Sequence, residues 1–194
     1  MRYIGAIPLM IFYAVYFGKL LLQKQRGIQT DQIAKGKGRG KEYCIEAVMK
    51  AATYLVVAVE AACILFAETV ACLFWWGLGT ALAGTAVFTV SVVTMRDNWR
   101  AGIAKKDPTE LVTTGIYQIS RNPAFLGFDL VYIGLLMMYF NWFLLAATLF
   151  AAVMLHLQIL QEEKYLRGAF GEPYRVYQKR VCRYLGVKPV RKDR

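Results

Sequence analysis

The residues best placed to do chemistry lie in two stretches: Thr109 to Phe128, TELVTTGIYQISRNPAFLGF, and the run around Glu162 and Glu163. In the first, Gly115 allows a turn before Tyr117. Pro123 suits the first turn of a helix, where its missing N–H costs nothing. Arg121 and Asn122 are therefore expected just outside a helix N-terminus, at the level of lipid headgroups. Such an end offers free N–H groups and partial positive charge, so with Arg121 beside it the site can hold an anionic group. The alternative is a membrane anchor, with Arg121 snorkelling to phosphates. Glu162 and Glu163 fall where an apolar helix should leave the bilayer, a place where acids must be solvated or paired. They read as ligand-binding acids or as a hydrated helix end. His156, the single histidine, lies about two turns before Glu163 on the same helix face. It reads as a pocket wall or as a hydrogen-bonded interior residue. Glu60 and Asp129, inside apolar runs, read as polar helix–helix contacts more than as catalytic groups.

The elements that must position these residues are helices in a membrane. The chain has 194 residues, 57% of them hydrophobic, and a formal net charge of +11. Apolar and basic features separate along the sequence, as in an integral membrane protein and unlike a soluble domain. Apolar runs at 3–22, 51–67, 69–95, 123–140 and 142–160 are each near the length that crosses a bilayer. The first has no small-residue cleavage site before a polar segment and is expected to be a retained span. Glu68 marks a tight turn, so the second and third runs are expected to form an antiparallel hairpin. Gly77, Gly79, Ala81, Ala83 and Gly84 should let the third helix approach a neighbour closely.

Apart from Arg2, every Lys and Arg falls in 19–50, 96–121 or 164–194. The positive-inside rule puts those three segments in the cytosol, giving five spans with the N-terminus outside and the C-terminus inside. The Lys35–Lys41 run, KGKGRGK, lacks the spacing of a phosphate loop and reads as a basic loop facing anionic headgroups. Basic charge beside apolar runs points to lipid, and no nucleic-acid partner is expected. Cys44, Cys63, Cys72 and Cys182 form no CxxC pair, so neither a disulfide framework nor a metal site is implied. Tyr174, Tyr177, Val181 and Tyr184 recur at helical spacing and predict an amphipathic tail helix.

LVTTGIY (111–117), RNPAFLG (121–127), the Glu162–Glu163 pair and FGEPYRVYQKRV (170–181) together resemble the isoprenylcysteine carboxyl methyltransferase family of integral membrane enzymes. The resemblance covers residues 96–185; the first three spans match only in kind. It implies an all-α integral membrane fold of five transmembrane helices. Residues 1–95 would supply three helices and the basic loop. Residues 96–194 would be the catalytic region, built from a cytosolic loop, a transmembrane hairpin over 123–160 and a cytosolic tail. The cofactor pocket would form between the 96–122 segment and the tail.

The implied reaction is methyl transfer from S-adenosylmethionine to the C-terminal carboxylate of an isoprenylated cysteine. The cofactor would enter from the cytosol and the lipid-modified substrate from the bilayer. The membrane would be the cell membrane in a prokaryote or the endoplasmic reticulum in a eukaryote. Carried over by position, Glu110, Leu111, Val112 and Tyr117 match the segment that wraps the cofactor. Asn122, Pro123, Ala124 and Phe125 match its second contact, and Glu162 an acid that binds it; His156 is a further candidate there. Arg121, Glu163 and Gln158 are the candidates for work on the acceptor. The family usually has His at the position of Asn122, Tyr at Phe125 and, in its eukaryotic members, Arg at Gln158, so Arg121 or Arg100 would hold the acceptor carboxylate here. Rival readings on this scaffold are a phospholipid or amine N-methyltransferase and a sterol-reductase-like NADPH enzyme. A third rival is a membrane scaffold without activity.

Overall fold

A computed structural model of the chain describes residues 1–33, 40–102 and 109–189. Most of the KGKGRGK loop, the KKDP segment up to Pro108 and the last basic residues lie outside them. Among the described residues the protein is all-helical: α1 (Ala6–Gln25), α2 (Lys41–Phe66), α3 (Ala71–Met95), α4 (Pro123–Met138), α5 (Trp142–Phe170) and α6 (Glu172–Arg180). Four of these, α1, α2, α3 and α5, are long and apolar enough to cross a membrane. α4 is equally apolar but has 16 residues. At about 1.5 Å per residue that is roughly 24 Å, short of a ~30 Å hydrocarbon core. The fifth expected span is thus a shorter helix than the apolar run suggested.

Local chemistry sets the helix ends. Pro123 occupies the first turn of α4. Asn141 caps α5, its side chain accepting from the Leu144 N–H at 2.9 Å. Gly171, at φ 58°, supplies the left-handed residue between α5 and α6. α5 does not stop at Leu160. It continues for ten more residues, which puts Glu162 and Glu163 inside a helix, not at its end.

The expected α2–α3 hairpin is not the packing unit. α3 packs chiefly on α4 and α2 on α5, while α2 and α3 barely touch despite the short link between them. Glycine decides the pairing. A Cβ on Gly77 would meet the Gly134 carbonyl at 2.5 Å, and one on Gly84 the Gly127 carbonyl at 2.7 Å. Two glycines on each antiparallel helix remove the side chains that would hold the backbones apart. Gly79 faces open space and takes no part.

α1 completes the core through aromatic packing. Phe12 meets Phe88 with ring centroids 4.4 Å apart and Phe128 at 4.7 Å; Tyr16 meets Trp99 at 5.7 Å. Buried Gln23 ties the end of α1 to the next loop. Its amide donates to the Trp99 carbonyl at 3.2 Å and its oxygen accepts from the Thr30 hydroxyl at 2.6 Å. The tail differs from the expected long helix. α6 ends at Arg180, and the chain folds back as the Cys182 N–H donates to the Gly186 carbonyl at 2.8 Å. Tyr174, Tyr177 and Val181 pack on Leu111, Leu166 and Phe170, whereas Tyr184 lies beyond the helix.

Candidate functional site

A cavity of about 340 Å³ opens where α1 to α5 converge with the α1–α2 loop and the α3–α4 connection. α1 contributes Tyr13 and Tyr16, α2 Lys50 and Thr53, α3 Phe88, and α4 Ala124, Phe125 and Phe128. Gln158 and Glu162 come from α5, Asp31 and Ile33 from the α1–α2 loop, and Trp99, Arg100, Tyr117, Arg121 and Asn122 from the α3–α4 connection. No described residue after Leu166 lines it. Of the tail expected from residue 161 on, Glu162 and Leu166 line the cavity beside residues of the 96–122 segment. The membrane helices of the N-terminal half wall the cavity through Tyr13, Tyr16, Thr53 and Phe88. Beyond Leu166 the tail braces the loop from outside.

Of the sequence candidates, Tyr117, Arg121, Asn122, Ala124, Phe125, Gln158 and Glu162 share this cavity; Glu110, Leu111, Val112, Pro123, His156 and Glu163 do not line it. Glu110 is exposed, its backbone N–H donating to the Asn98 side chain at 2.9 Å. Leu111 packs under the tail tyrosines and Val112 is half-buried. Pro123 is buried in the first turn of α4. His156 turns to the tail, its Nδ1 2.7 Å from the Tyr184 hydroxyl and its ring stacked on that tyrosine. It takes the interior, hydrogen-bonded alternative.

The polar centre is an Arg121–Glu163–Arg183 cluster. Glu163, its side chain 3% exposed, receives a two-pronged hydrogen bond from Arg183, Nε to Oε1 and Nη2 to Oε2, both at 3.0 Å. Arg121, 7% exposed, places Nη2 3.1 Å from the same Oε1. Its Nε and Nη1 are buried with no hydrogen-bond partner among the described residues. A buried charged donor without a partner costs more than an ordinary hydrogen bond returns, so an acceptor is expected there. Two guanidiniums against one carboxylate leave this pole positive.

Glu162 makes the opposite pole. Gln158 donates to its Oε1 at 3.1 Å, leaving the Gln158 carbonyl oxygen buried without a partner among the described residues. A cavity with donors at one pole and acceptors at the other suits a ligand that carries both charges.

Tail contacts fix the loop that holds Arg121. The Tyr177 hydroxyl donates to the Tyr117 carbonyl at 2.6 Å. The Arg121 N–H donates to the Cys182 carbonyl at 3.1 Å, and the Gly186 N–H to the Ile119 carbonyl at 2.7 Å. The Asn122 amide donates to the Arg183 carbonyl at 3.1 Å. Burial, reinforced by the Glu163 carboxylate, pushes the Tyr174 hydroxyl up to about 12. Burial raises Tyr177 and Tyr117 as well. All three remain neutral phenols at physiological pH.

Sequence reasoning missed Arg183 and the α1–α2 wall. The aromatic spacing of Phe12, Tyr13, Tyr16 and Phe17 was a signal for the wall. Nothing local marked Arg183, or the Lys50–Asp31 pair at 3.3 Å, as part of the site.

Comparison with known proteins falls on the same elements. The model of the isoprenylcysteine carboxyl methyltransferase (ICMT) family matches residues 77–168, the segment that runs from the glycine face of α3 through Arg121 to the end of α5. Residues 77–168 are therefore similar to that family. A protein of Arabidopsis thaliana named protein-S-isoprenylcysteine O-methyltransferase B is 31% identical over 116 residues. That alignment takes in 55% of this chain and 58% of the relative, so the match spans a little over half the relative's length. The matched segment takes in most of α3, all of α4, nearly all of α5 and the Arg121 loop, while α1, α2 and the tail with Arg183 lie outside it. With its four long apolar helices, the chain is a multi-pass membrane protein.

Proposed function

We propose that the protein is an S-adenosylmethionine-dependent carboxyl O-methyltransferase acting on an isoprenylated cysteine. The observation that carries this reading is Arg121: a buried guanidinium in the matched segment that lines the cavity, two of whose nitrogens lack a hydrogen-bond partner among the described residues. A methyl-accepting carboxylate is already anionic and needs no general base. It needs a binding group that desolvates and aims it. Arg121 would hold that carboxylate. Tyr16, Phe88, Trp99 and Phe128 would exclude water and give the prenyl chain an apolar wall.

The residues fit the proposed methyl donor. The volume is within the range of small-molecule sites. Glu162 and the unpartnered Gln158 oxygen are acceptors for an ammonium or ribose, and the aromatic walls suit an adenine ring and a nearby sulfonium. When bound, S-adenosylmethionine supplies a methyl group already activated on a sulfonium. The chain's residues bind, orient and keep the site dry, which suits a reaction that consumes charge. In the same reading α4 completes a five-span protein with its C-terminus and donor site facing the cytosol, and the lipid substrate arrives from the bilayer.

Calorimetric titration of the detergent-purified protein with S-adenosylhomocysteine tests the reading. Saturable binding, weakened at least tenfold in Glu162→Ala, supports it. Methylation of N-acetyl-S-farnesylcysteine, but not of phosphatidylethanolamine, would then fix the acceptor class. Binding of NADPH in place of the homocysteine analogue refutes it, as does binding of neither.

A further inference from the structure

Arg183 does not line the cavity and lies outside the ICMT segment, yet it holds the carboxylate that Arg121 also touches. Each Glu163 oxygen accepts from Arg183 at 3.0 Å, Oε1 also accepts from the Asn122 amide at 3.4 Å, and Arg121 makes a single contact, Nη2 to Oε1 at 3.1 Å. A free carboxylate beside an arginine takes a two-pronged pair when it can. Without Arg183, Glu163 would draw a second Arg121 N–H to itself and turn the guanidinium away from the cavity.

We propose that Arg183 is a positioning residue: by occupying Glu163 it keeps Arg121 aimed into the cavity, where Arg121 binds the carboxylate of the methyl acceptor. The inference rests on the methyltransferase reading for the ligand, but its geometric half stands apart from it. Docking of the tail does not rest on the Arg183 side chain alone. It is made by backbone groups of Cys182, Arg183 and Gly186, which a side-chain replacement leaves in place. With its side chain 34% exposed, Arg183 is also replaceable without opening a core cavity.

The test compares wild type, Arg183→Gln, Arg183→Lys and the double variant Arg183→Gln/Glu163→Gln. Steady-state kinetics use N-acetyl-S-farnesylcysteine, and binding uses S-adenosylhomocysteine. Arg183→Gln should raise KM for the acceptor about tenfold or more, with kcat and the homocysteine Kd within twofold. Arg183→Lys should fall between, since it keeps the charge but loses the fork. The double variant should recover acceptor KM toward wild type, because the uncharged amide that replaces the Glu163 carboxylate no longer captures Arg121. A double variant worse than Arg183→Gln, or a loss that appears in the homocysteine Kd instead of the acceptor KM, overturns the proposal.

An independent readout is the 15N resonance of the Arg121 Nε in arginine-labelled protein, assigned with Arg121→Lys. In wild type this N–H has no acceptor among the described residues, and in Arg183→Gln the resonance should shift as the N–H bonds to Glu163. If wild type neither binds the homocysteine analogue nor methylates the acceptor, the functional reading fails. The resonance then still decides the geometric half, and an unchanged Arg121 Nε overturns it.

Discussion

Gly134→Ala is the substitution whose effect the packing specifies most closely. Its Cβ would lie 2.6 Å from the Ala81 nitrogen, 2.6 Å from the Gly77 carbonyl oxygen and 2.8 Å from the Ala81 Cβ. Two of these neighbours are α3 backbone and cannot rotate aside. Sliding is blocked as well, since a Cβ on Gly127 would meet the Gly84 carbonyl at 2.9 Å two turns away. The helices must part by about 0.4 Å merely to reach the 3.0 Å floor of real contacts. Overpacking of this kind costs about 1–3 kcal/mol. Replacing glycine in a helix interior returns about 1 kcal/mol, so a net loss of up to roughly 2 kcal/mol remains. Phe88, Phe125 and Phe128 ride on the same two helices, so the cavity should loosen too. Gly79→Ala is the internal control. That Cβ meets nothing within 4 Å, and only the backbone gain applies. The assay is thermal unfolding in mild detergent for both variants, with ligand affinity as a second readout. Gly134→Ala should melt below wild type and Gly79→Ala at or above it. Equal stability of the two alanine variants would refute the glycine-interface argument.

Two further outcomes follow from buried polar groups. Glu60 is fully buried with both carboxyl oxygens lacking a partner among the described residues. Glu60→Met should therefore stabilise the protein by about 1–3 kcal/mol, read as a higher unfolding temperature; a lower one would mean the carboxylate has a role that this arrangement does not reveal. The Tyr174 hydroxyl, raised by burial to about 12 from an ordinary 10.0, keeps in the folded state a proton that the unfolded chain releases earlier. Its contribution is complete below pH 10 and is lost as the pH rises toward 12. Unfolding midpoints measured from about pH 9 to 12 should fall over that window, and less steeply in Tyr174→Phe. An unchanged slope would show that Tyr174 does not carry the effect.

The sequence by itself determined the class of protein and the identity of several candidate residues. Long apolar runs separated by basic segments permit little other than a helical membrane protein, because only helices satisfy their own backbone in lipid while remaining this apolar all round. Pro123 after Arg121–Asn122 was legible because proline at a helix start has a local physical reason. Partner choice was not legible. Chain proximity suggested α2 beside α3, but close approach requires small residues on both helices, and Gly127 and Gly134 lie far along the chain from Gly77 and Gly84. The roles of the two glutamates were equally a tertiary matter. Adjacent residues on a helix point about 100° apart, so Glu162 enters the cavity and Glu163 turns to Arg121 and Arg183. Spacing cannot say which does which, because the choice depends on where a returning tail places its arginine.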